Sequence, residues 1–208
     1  RSEKARLESV RSAGKDPRKM MEAKDKGGLY GRAVMAKTLA YAAFIAEEAA
    51  NSIVDVDDAM KLGYAWKTGP FELMDAIGVD TLIAMLETDG IEVPALLKKA
   101  AGKSFYKIED GKLFFLGFDG KYSKVVRPDG VLLLEDIKRK SEPVVGNRAA
   151  SLWDIGDGVA CLEFHTKMNA LDADVLGMIK TSIRTVKKQF KAMVIYNEGS
   201  NFSAGANL

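Results

Sequence analysis

The pattern of hydrophobic and polar positions divides the chain into three segments. Residues 1–27 are charged and poor in apolar side chains. Residues 29–104 carry the propensities and breaks of short helices, and short aromatic or β-branched runs follow up to residue 126. From residue 151 the order strand, strand, helix, strand is predicted. The pattern therefore predicts an α+β fold with a domain boundary near residue 145.

Helix propensity is highest over residues 32–50, which are rich in alanine and contain neither glycine nor proline. Asp55 is predicted to cap a helix over residues 56–62 that Gly63 ends. Pro70 and Glu72 suit the first turn of another helix, which Gly78 breaks. Further helices are predicted over residues 18–24, closed by Gly27-Gly28, over residues 79–86, and over residues 95–101 after Pro94.

Asp-Gly pairs separate three short strand-like runs over residues 105–108, 112–115 and 122–126, which predicts a small β meander. Residues 130–147 resemble a connector. Strands are predicted over residues 151–155 and 159–164, and the helix that follows is capped by Asp172. A buried strand over residues 192–196 would complete a right-handed parallel crossover.

Composition excludes several classes of protein. The formal net charge is +2, so nothing in it argues for nucleic-acid binding, and the local charge of +4 over residues 1–27 is best explained as a solvated face or docking arm. A single cysteine, Cys161, and a single histidine, His165, exclude a disulfide framework and most metal clusters within this sequence. No apolar run approaches a membrane span, and we expect a cytoplasmic location.

The strongest chemical candidate is the loop over residues 202–207, which follows an apolar strand and is rich in small residues. Small residues let a ligand approach the backbone, whose consecutive N–H groups are available for an oxyanion. Cys161 is expected to be a buried small hydrophobe, and Phe71 and Trp66 core anchors. Asp55, Asp57 and Asp58 fit a helix start better than a calcium loop, and the sequence lacks G-x-G-x-x-G.

Two stretches resemble known families. The stretch "VDVDDAMKLGYAWKTGPFELMDAIG", residues 54–78, resembles the C-terminal helical domain of 3-hydroxyacyl-CoA dehydrogenases. Residues 151–208, with "GDGVACLEF", "MNALDADVLGMI" and "NFSAGANL", resemble the start of a crotonase-fold (enoyl-CoA hydratase/isomerase) domain. The order resembles bacterial fusion enzymes of fatty-acid β-oxidation, and we expect the chain to be a piece of such a longer protein.

Composition and the resemblance together predict a basic linker or arm (1–28), an all-α dehydrogenase-type domain with a β appendage (29–145) and an incomplete α/β crotonase-like domain (148–208). It implies that Ala206 supplies a backbone N–H to the oxyanion hole. The residues expected to line the coenzyme A side are Ala204, Gly205, Asn207 and Leu208. The second oxyanion glycine, the catalytic glutamates and the NAD site would lie outside residues 1–208.

The implied activity of the longer protein is NAD-dependent oxidation of 3-hydroxyacyl-CoA, with enoyl-CoA hydration as a second reaction, and these 208 residues alone are expected to be inactive. The substrate would be an acyl-CoA, and the helical domain would support a homodimer. The alternative interpretation is a non-catalytic helical interaction module whose crotonase-like segment is a scaffold. The loop over residues 202–208 discriminates between the two interpretations, because an interaction module needs no cluster of free backbone donors.

Overall fold

The computed structural model describes residues 7–198 and 201–206. Its contacts divide the chain into two units, and the division falls at residues 126/127 rather than near 145. The turn over residues 110–112 is assigned to the second unit. Mixed helix and sheet confirm the α+β class in its coarse form. Among the described residues, no helix combines the length and hydropathy that a membrane span requires.

The first unit is a helical bundle with a three-stranded meander. Its elements, in chain order, are α1 (Glu8–Ala13), α2 (Pro17–Glu22), α3 (Lys26–Ala49), α4 (Ile53–Tyr64), α5 (Pro70–Ile77), α6 (Val79–Thr88), α7 (Ala95–Lys99), β1 (Tyr106–Glu109), β2 (Lys112–Leu116) and β3 (Tyr122–Lys124). The strands are ordered β1-β2-β3, with β2 and β3 antiparallel.

The N-terminal segment is not a linker where the structure describes it. Helices α1 and α2 pack beside α3, and Met21 of α2 belongs to the bundle core. The prediction that Gly27-Gly28 ends a helix was wrong, because both lie in the first turn of α3. Asp25 caps α3 by accepting from Gly28 N–H at 2.8 Å. A Cβ on Gly28 would lie 2.2 Å from the Ala23 carbonyl oxygen, so this close approach requires glycine.

The alanines of α3 form the interior of the bundle. Ala36, Ala40, Ala43 and Ala46 are buried together with Leu39. Small side chains permit close helix packing, and the larger core residues come from the helices around α3. They include Met21, Ile53, Phe71, Met74, Ile77, Leu82, Leu86 and Leu97. The prediction that Phe71 is a core anchor is confirmed, whereas Trp66 is only half-buried.

Helix α4 begins and ends differently from the prediction. Ser52, not Asp55, is the N-cap, and its Oγ accepts from Asp55 N–H. Asp55 occupies the first turn, where a carboxylate favours the helix dipole. Gly63 lies inside the helix, which ends before Ala65 in the left-handed conformation. Helix α7 is likewise shorter than predicted and ends at Lys99.

The second unit contains α8 (Leu134–Lys138), β4 (Val145–Gly146), β5 (Ala150–Asp154), β6 (Val159–Phe164), a 3-10 turn (Lys167–Asn169), α9 (Ala173–Gln189) and β7 (Ala192–Ile195). The strand order is β4-β5-β6-β7, and only the β6–β7 pair is parallel among these. The parallel crossover through α9 is thus confirmed, and Asp172 caps α9 as predicted.

The two faces of this sheet have different cover. Val175 and Met178 of α9 pack on one face with alternate residues of β5 and β6, among them Leu152 and Leu162. On the other face, Leu134 of α8 packs against Trp153 and Cys161. Residues 130–147 therefore belong to this unit rather than to a connector. Strand β7 was predicted to be buried and is not, because Val194 and Ile195 are 43% and 40% exposed.

Candidate functional site

The candidate site is the loop that follows β7, described here over residues 201–206. Its amide groups are not all free, which corrects the expectation of consecutive free donors. Ala204 N–H donates to the Met168 carbonyl at 3.0 Å, and Gly205 N–H donates to Ser203 Oγ at 3.0 Å. Within the described residues, Ala206 N–H donates to no protein acceptor. Ala206 N–H is thus an available donor among the described loop residues, and its role in an oxyanion hole stays a prediction.

The loop lies beside the segment that leads into α9. Leu171 N–H donates to the Gly205 carbonyl at 2.8 Å, and Leu171 and Ala206 form a parallel β-bridge. Gly205 has φ of +88°, a conformation that side chains rarely adopt. Thus the structure brings Ala204, Gly205 and Ala206 together with the start of α9. Asn207 and Leu208 lie outside the described residues.

Two asparagines hold the loop against the rest of the unit. Asn197 is buried; its Oδ1 accepts from Phe164 N–H of β6 at 2.7 Å, and its Nδ2 donates to the Phe202 carbonyl. Asn169 Nδ2 donates to the Asn201 carbonyl at 2.9 Å. Both amide side chains are therefore engaged on defined backbone groups. The loop is fixed from the end of the sheet and from the 3-10 turn.

The 3-10 turn presents its carbonyl groups through an uncommon backbone conformation. Met168 and Asn169 have φ of +58° and +52°. Asparagine tolerates this region, but methionine does so only at a cost. The two carbonyl oxygens accept from Ala204 N–H and from Ser203 Oγ respectively. Backbone strain is thus located at the contacts that shape the loop.

The remaining reactive side chains of the second unit do not form a catalytic set. His165 Nε2 lies 3.0 Å from Ser151 Oγ, and no carboxylate is recorded at its ring among the described residues. Cys161 is buried, as expected, and this burial, with Glu163 nearby, raises the pKa of its thiol to about 11. No cluster of three metal-ligating side chains occurs in the described part of the chain.

Sequence reasoning missed the polar centre of the first unit, which is Asp57. Its Oδ1 accepts from Phe71 N–H at 2.8 Å, and its Oδ2 accepts from Glu72 N–H at 3.2 Å and Tyr106 Oη at 2.7 Å. Asp57 is fully buried, and this desolvation raises its pKa to about 6 against the hydrogen bonds that favour the charge. The carboxylate joins α4 to the N-terminus of α5 and to β1.

The motif residues around Asp57 have related structural roles. A Cβ on Gly69 would lie 2.3 Å from Asp57 Cγ, so only glycine fits beside the carboxylate. Glu72 accepts from Gly69 N–H at 2.9 Å and pairs with Lys61 at 2.7 Å. Asp75 accepts from the backbone N–H groups of β1 and the residue before it. These residues hold the bundle to the meander.

An apolar surface follows the outer face of α3. We call it the α3 stripe; it consists of Tyr30, Val34, Tyr41 and Phe44, all exposed. Tyr41 and Phe44 also line an open groove of about 510 Å³ with Ile91 and Pro94, and the charged residues Lys37 and Glu92 line it too. Aromatic side chains this exposed on a helix are typical of a surface that packs against another protein segment.

Comparison with known proteins finds a match for part of the helical unit. Residues 28–108 match the 3-hydroxyacyl-CoA dehydrogenase C-terminal domain. A relative from Bacillus subtilis (strain 168), named "Probable 3-hydroxyacyl-CoA dehydrogenase", is 37% identical over 188 residues, which are 88% of this chain and 24% of that protein. The match covers Asp57, Gly69 and Glu72. The 3-hydroxyacyl-CoA dehydrogenase resemblance is therefore confirmed for this domain.

Two further relatives carry names of related enzymes. One from Rickettsia felis carries the name of a fatty acid oxidation complex trifunctional enzyme and is 30% identical over 168 residues, 81% of this chain and 21% of that protein. The mitochondrial hydroxyacyl-coenzyme A dehydrogenase of Mus musculus is 35% identical over 81 residues, 39% of this chain and 25% of that protein. The chain spans about a quarter or less of these relatives. No solved structure matches the chain.

Proposed function

We propose that this chain is part of an enzyme that oxidises 3-hydroxyacyl-CoA with NAD in fatty-acid β-oxidation. The match of residues 28–108 and the names of the relatives support this proposal. The helical domain would cover the acyl-CoA beside a nucleotide-binding domain that residues 1–208 do not supply. A glycine-rich nucleotide loop is absent from this sequence, so NADH is expected not to bind it. A cytoplasmic location belongs to the same proposal.

The second unit, in this proposal, is the start of a crotonase-like domain that contributes to enoyl-CoA hydration. The single observation that carries it is the Ala206 N–H, which donates to no acceptor within residues 7–198 and 201–206, whereas the N–H groups of Ala204 and Gly205 are engaged. A backbone N–H held in a fixed loop stabilises the negative charge that develops on a thioester oxygen. Ala204 and Gly205 would line the coenzyme A side with Asn207 and Leu208.

The test is a nuclear magnetic resonance titration of ¹⁵N-labelled protein. Acetyl-CoA is expected to shift the Ala206 amide signal downfield, since its carbonyl accepts the hydrogen bond. Free coenzyme A, which lacks the thioester carbonyl, is the matched control and should leave this signal in place. Equal responses to both ligands, or none to acetyl-CoA, would contradict the proposal. An NADH titration runs alongside, and tight NADH binding would refute the placement of the NAD site outside residues 1–208.

A second function, self-association of the helical domain, is favoured by the α3 stripe. We propose that two copies pack through Tyr41 and Phe44 of this stripe, whose side chains are 65% and 72% exposed. This is the surface that the non-catalytic alternative would also use. Sedimentation equilibrium tests it with Phe44→Glu. Leu62→Glu, at an 87% exposed position of α4 outside the stripe, is the control.

The wild-type protein and Leu62→Glu are expected to be dimers at concentrations at which Phe44→Glu is a monomer. A charge placed in an apolar interface must be desolvated without a partner, which opposes association. A monomeric wild-type protein at high concentration would contradict the proposal. Dimerisation that survives Phe44→Glu would place the interface elsewhere.

A further inference from the structure

Ser203 lies at the centre of the candidate loop and makes two hydrogen bonds with one hydroxyl group. Its Oγ donates to the Asn169 carbonyl at 2.7 Å and accepts from Gly205 N–H at 3.0 Å. The hydroxyl proton is thus committed to Asn169, and a lone pair is committed to Gly205. The side chain therefore ties the loop both to the 3-10 turn and to itself.

This arrangement determines which of two neighbouring amide groups, Gly205 or Ala206, is open to a ligand. Gly205 and Ala206 are neighbours, and without the Ser203 hydroxyl both would carry an available N–H. A thioester oxygen that binds the wrong amide is displaced by about 3.5 Å, the length of one residue. Such a displacement abolishes stabilisation, because an oxyanion donor must lie within about 3 Å of the developing charge.

We infer that Ser203 is a positioning residue that selects Ala206 N–H as the donor by occupying the neighbouring Gly205 N–H. The inference rests on the proposed function of the loop. It assigns a role to the Ser203 side chain in addition to the backbone N–H groups. Asn197 assists from the other side. It fixes the Phe202 carbonyl, immediately before Ser203, to the end of β6.

The first measurement needs no ligand. Amide hydrogen exchange of Gly205 is expected to be about fivefold faster in Ser203→Ala than in the wild-type protein, as the loss of one modest hydrogen bond predicts. Ser203→Thr keeps the hydroxyl and should retain most of the protection. Exchange in α9 serves as the internal reference, since a general loss of folding would accelerate both. Unchanged Gly205 exchange in Ser203→Ala would overturn the inference.

The second measurement is the acetyl-CoA titration applied to the same variants. In the wild-type protein and Ser203→Thr, the ligand is expected to shift the Ala206 amide and leave Gly205 unaffected. In Ser203→Ala, the response is expected to be shared between Gly205 and Ala206, which a purely structural role of Ser203 would not produce. A response of Ala206 alone in Ser203→Ala would overturn the inference and leave the proposed function standing.

The outcomes separate the two proposals. If the wild-type Ala206 amide does not respond to acetyl-CoA, the proposed function of the loop fails, and the inference about ligand selection fails with it. The exchange data then show independently whether Ser203 holds Gly205. If Ala206 responds in the wild-type protein but Gly205 exchange is already unprotected there, only the role of Ser203 is refuted.

Discussion

The buried carboxylate of Asp57 makes the stability of the first unit depend on pH, and removal of one hydroxyl group tests this. The change is Tyr106→Phe, which removes the donor at 2.7 Å from Asp57 Oδ2 and keeps the ring. A hydrogen bond to an ionised group contributes about 1.5–3 kcal/mol, whereas one between neutral groups contributes about 1 kcal/mol. The free-energy cost of the substitution should therefore depend on whether Asp57 is charged.

The sign follows from the pKa of Asp57, which is raised from 3.8 to about 6 in the folded protein. Stability from this group is fully present below pH 3.8 and is lost as the pH rises through 6. Loss of the Tyr106 hydroxyl further disfavours the charged form and raises the folded pKa again. We therefore expect Tyr106→Phe to cost about 1 kcal/mol near pH 5 and about 1.5–3 kcal/mol near pH 8.

Tyr122→Phe is the matched control. The Tyr122 hydroxyl donates to the Ser104 carbonyl at 2.6 Å in the same meander, and this acceptor does not ionise. Its cost should be about 1 kcal/mol at both pH values. Urea unfolding followed by Trp66 fluorescence, in a Trp153→Phe background, reports the first unit. A Tyr106→Phe cost that does not grow with pH, or that grows equally in Tyr122→Phe, would refute the reasoning.

Three further predictions concern two glycines, a residue with positive φ and a helix cap. Gly69→Ala should destabilise the first unit by at least about 1 kcal/mol, since its Cβ would overlap Asp57. Gly63→Ala lies in open space within α4 and should stabilise the unit by about 0.5–1 kcal/mol. Urea unfolding of the two variants measures both changes. Met168→Gly should raise the stability of the second unit by up to about 1 kcal/mol by relieving its positive φ, and a lower unfolding midpoint would contradict this. Asp172→Ala should cost about 1 kcal/mol through the lost cap of α9, measured by circular dichroism; no change in helix stability would argue against that cap.

Local signals predicted most elements but misplaced several ends. Both Ser52 and Asp55 are good N-caps, and the sequence alone does not rank them; the structure places Ser52 at the cap because α4 begins at Ile53, a core residue. Gly27 and Gly28 indicate a helix end in sequence. Their role at the start of α3 depends on the approach to Ala23, a tertiary contact that no local pattern encodes.

The sequence indicated the candidate loop but not the hydrogen bonds within it. Small residues after an apolar strand indicate a close approach of the backbone, and the resemblance selected Ala206. The hydrogen bonds of Ser203 and of the left-handed Met168 determine which amide groups remain free. Ser203 bonds to Asn169, 34 residues away in the chain, and Met168 bonds to Ala204, 36 residues away. Asn169 and Asn197 gave a usable signal, since asparagine near a turn commonly binds backbone groups.

The exposed strand β7 has a consequence for aggregation. Residues 192–197, "AMVIYN", form an uncharged stretch with high β-propensity and no proline, the composition that favours cross-β assembly. Lys191 stands immediately before this stretch and Glu198 immediately after it. Charges in these positions act as gatekeepers, because stacked strands would bring like charges together along a fibril. Lys191 and Glu198 thus oppose assembly of this stretch in the unfolded chain, although neither contributes to the apolar core.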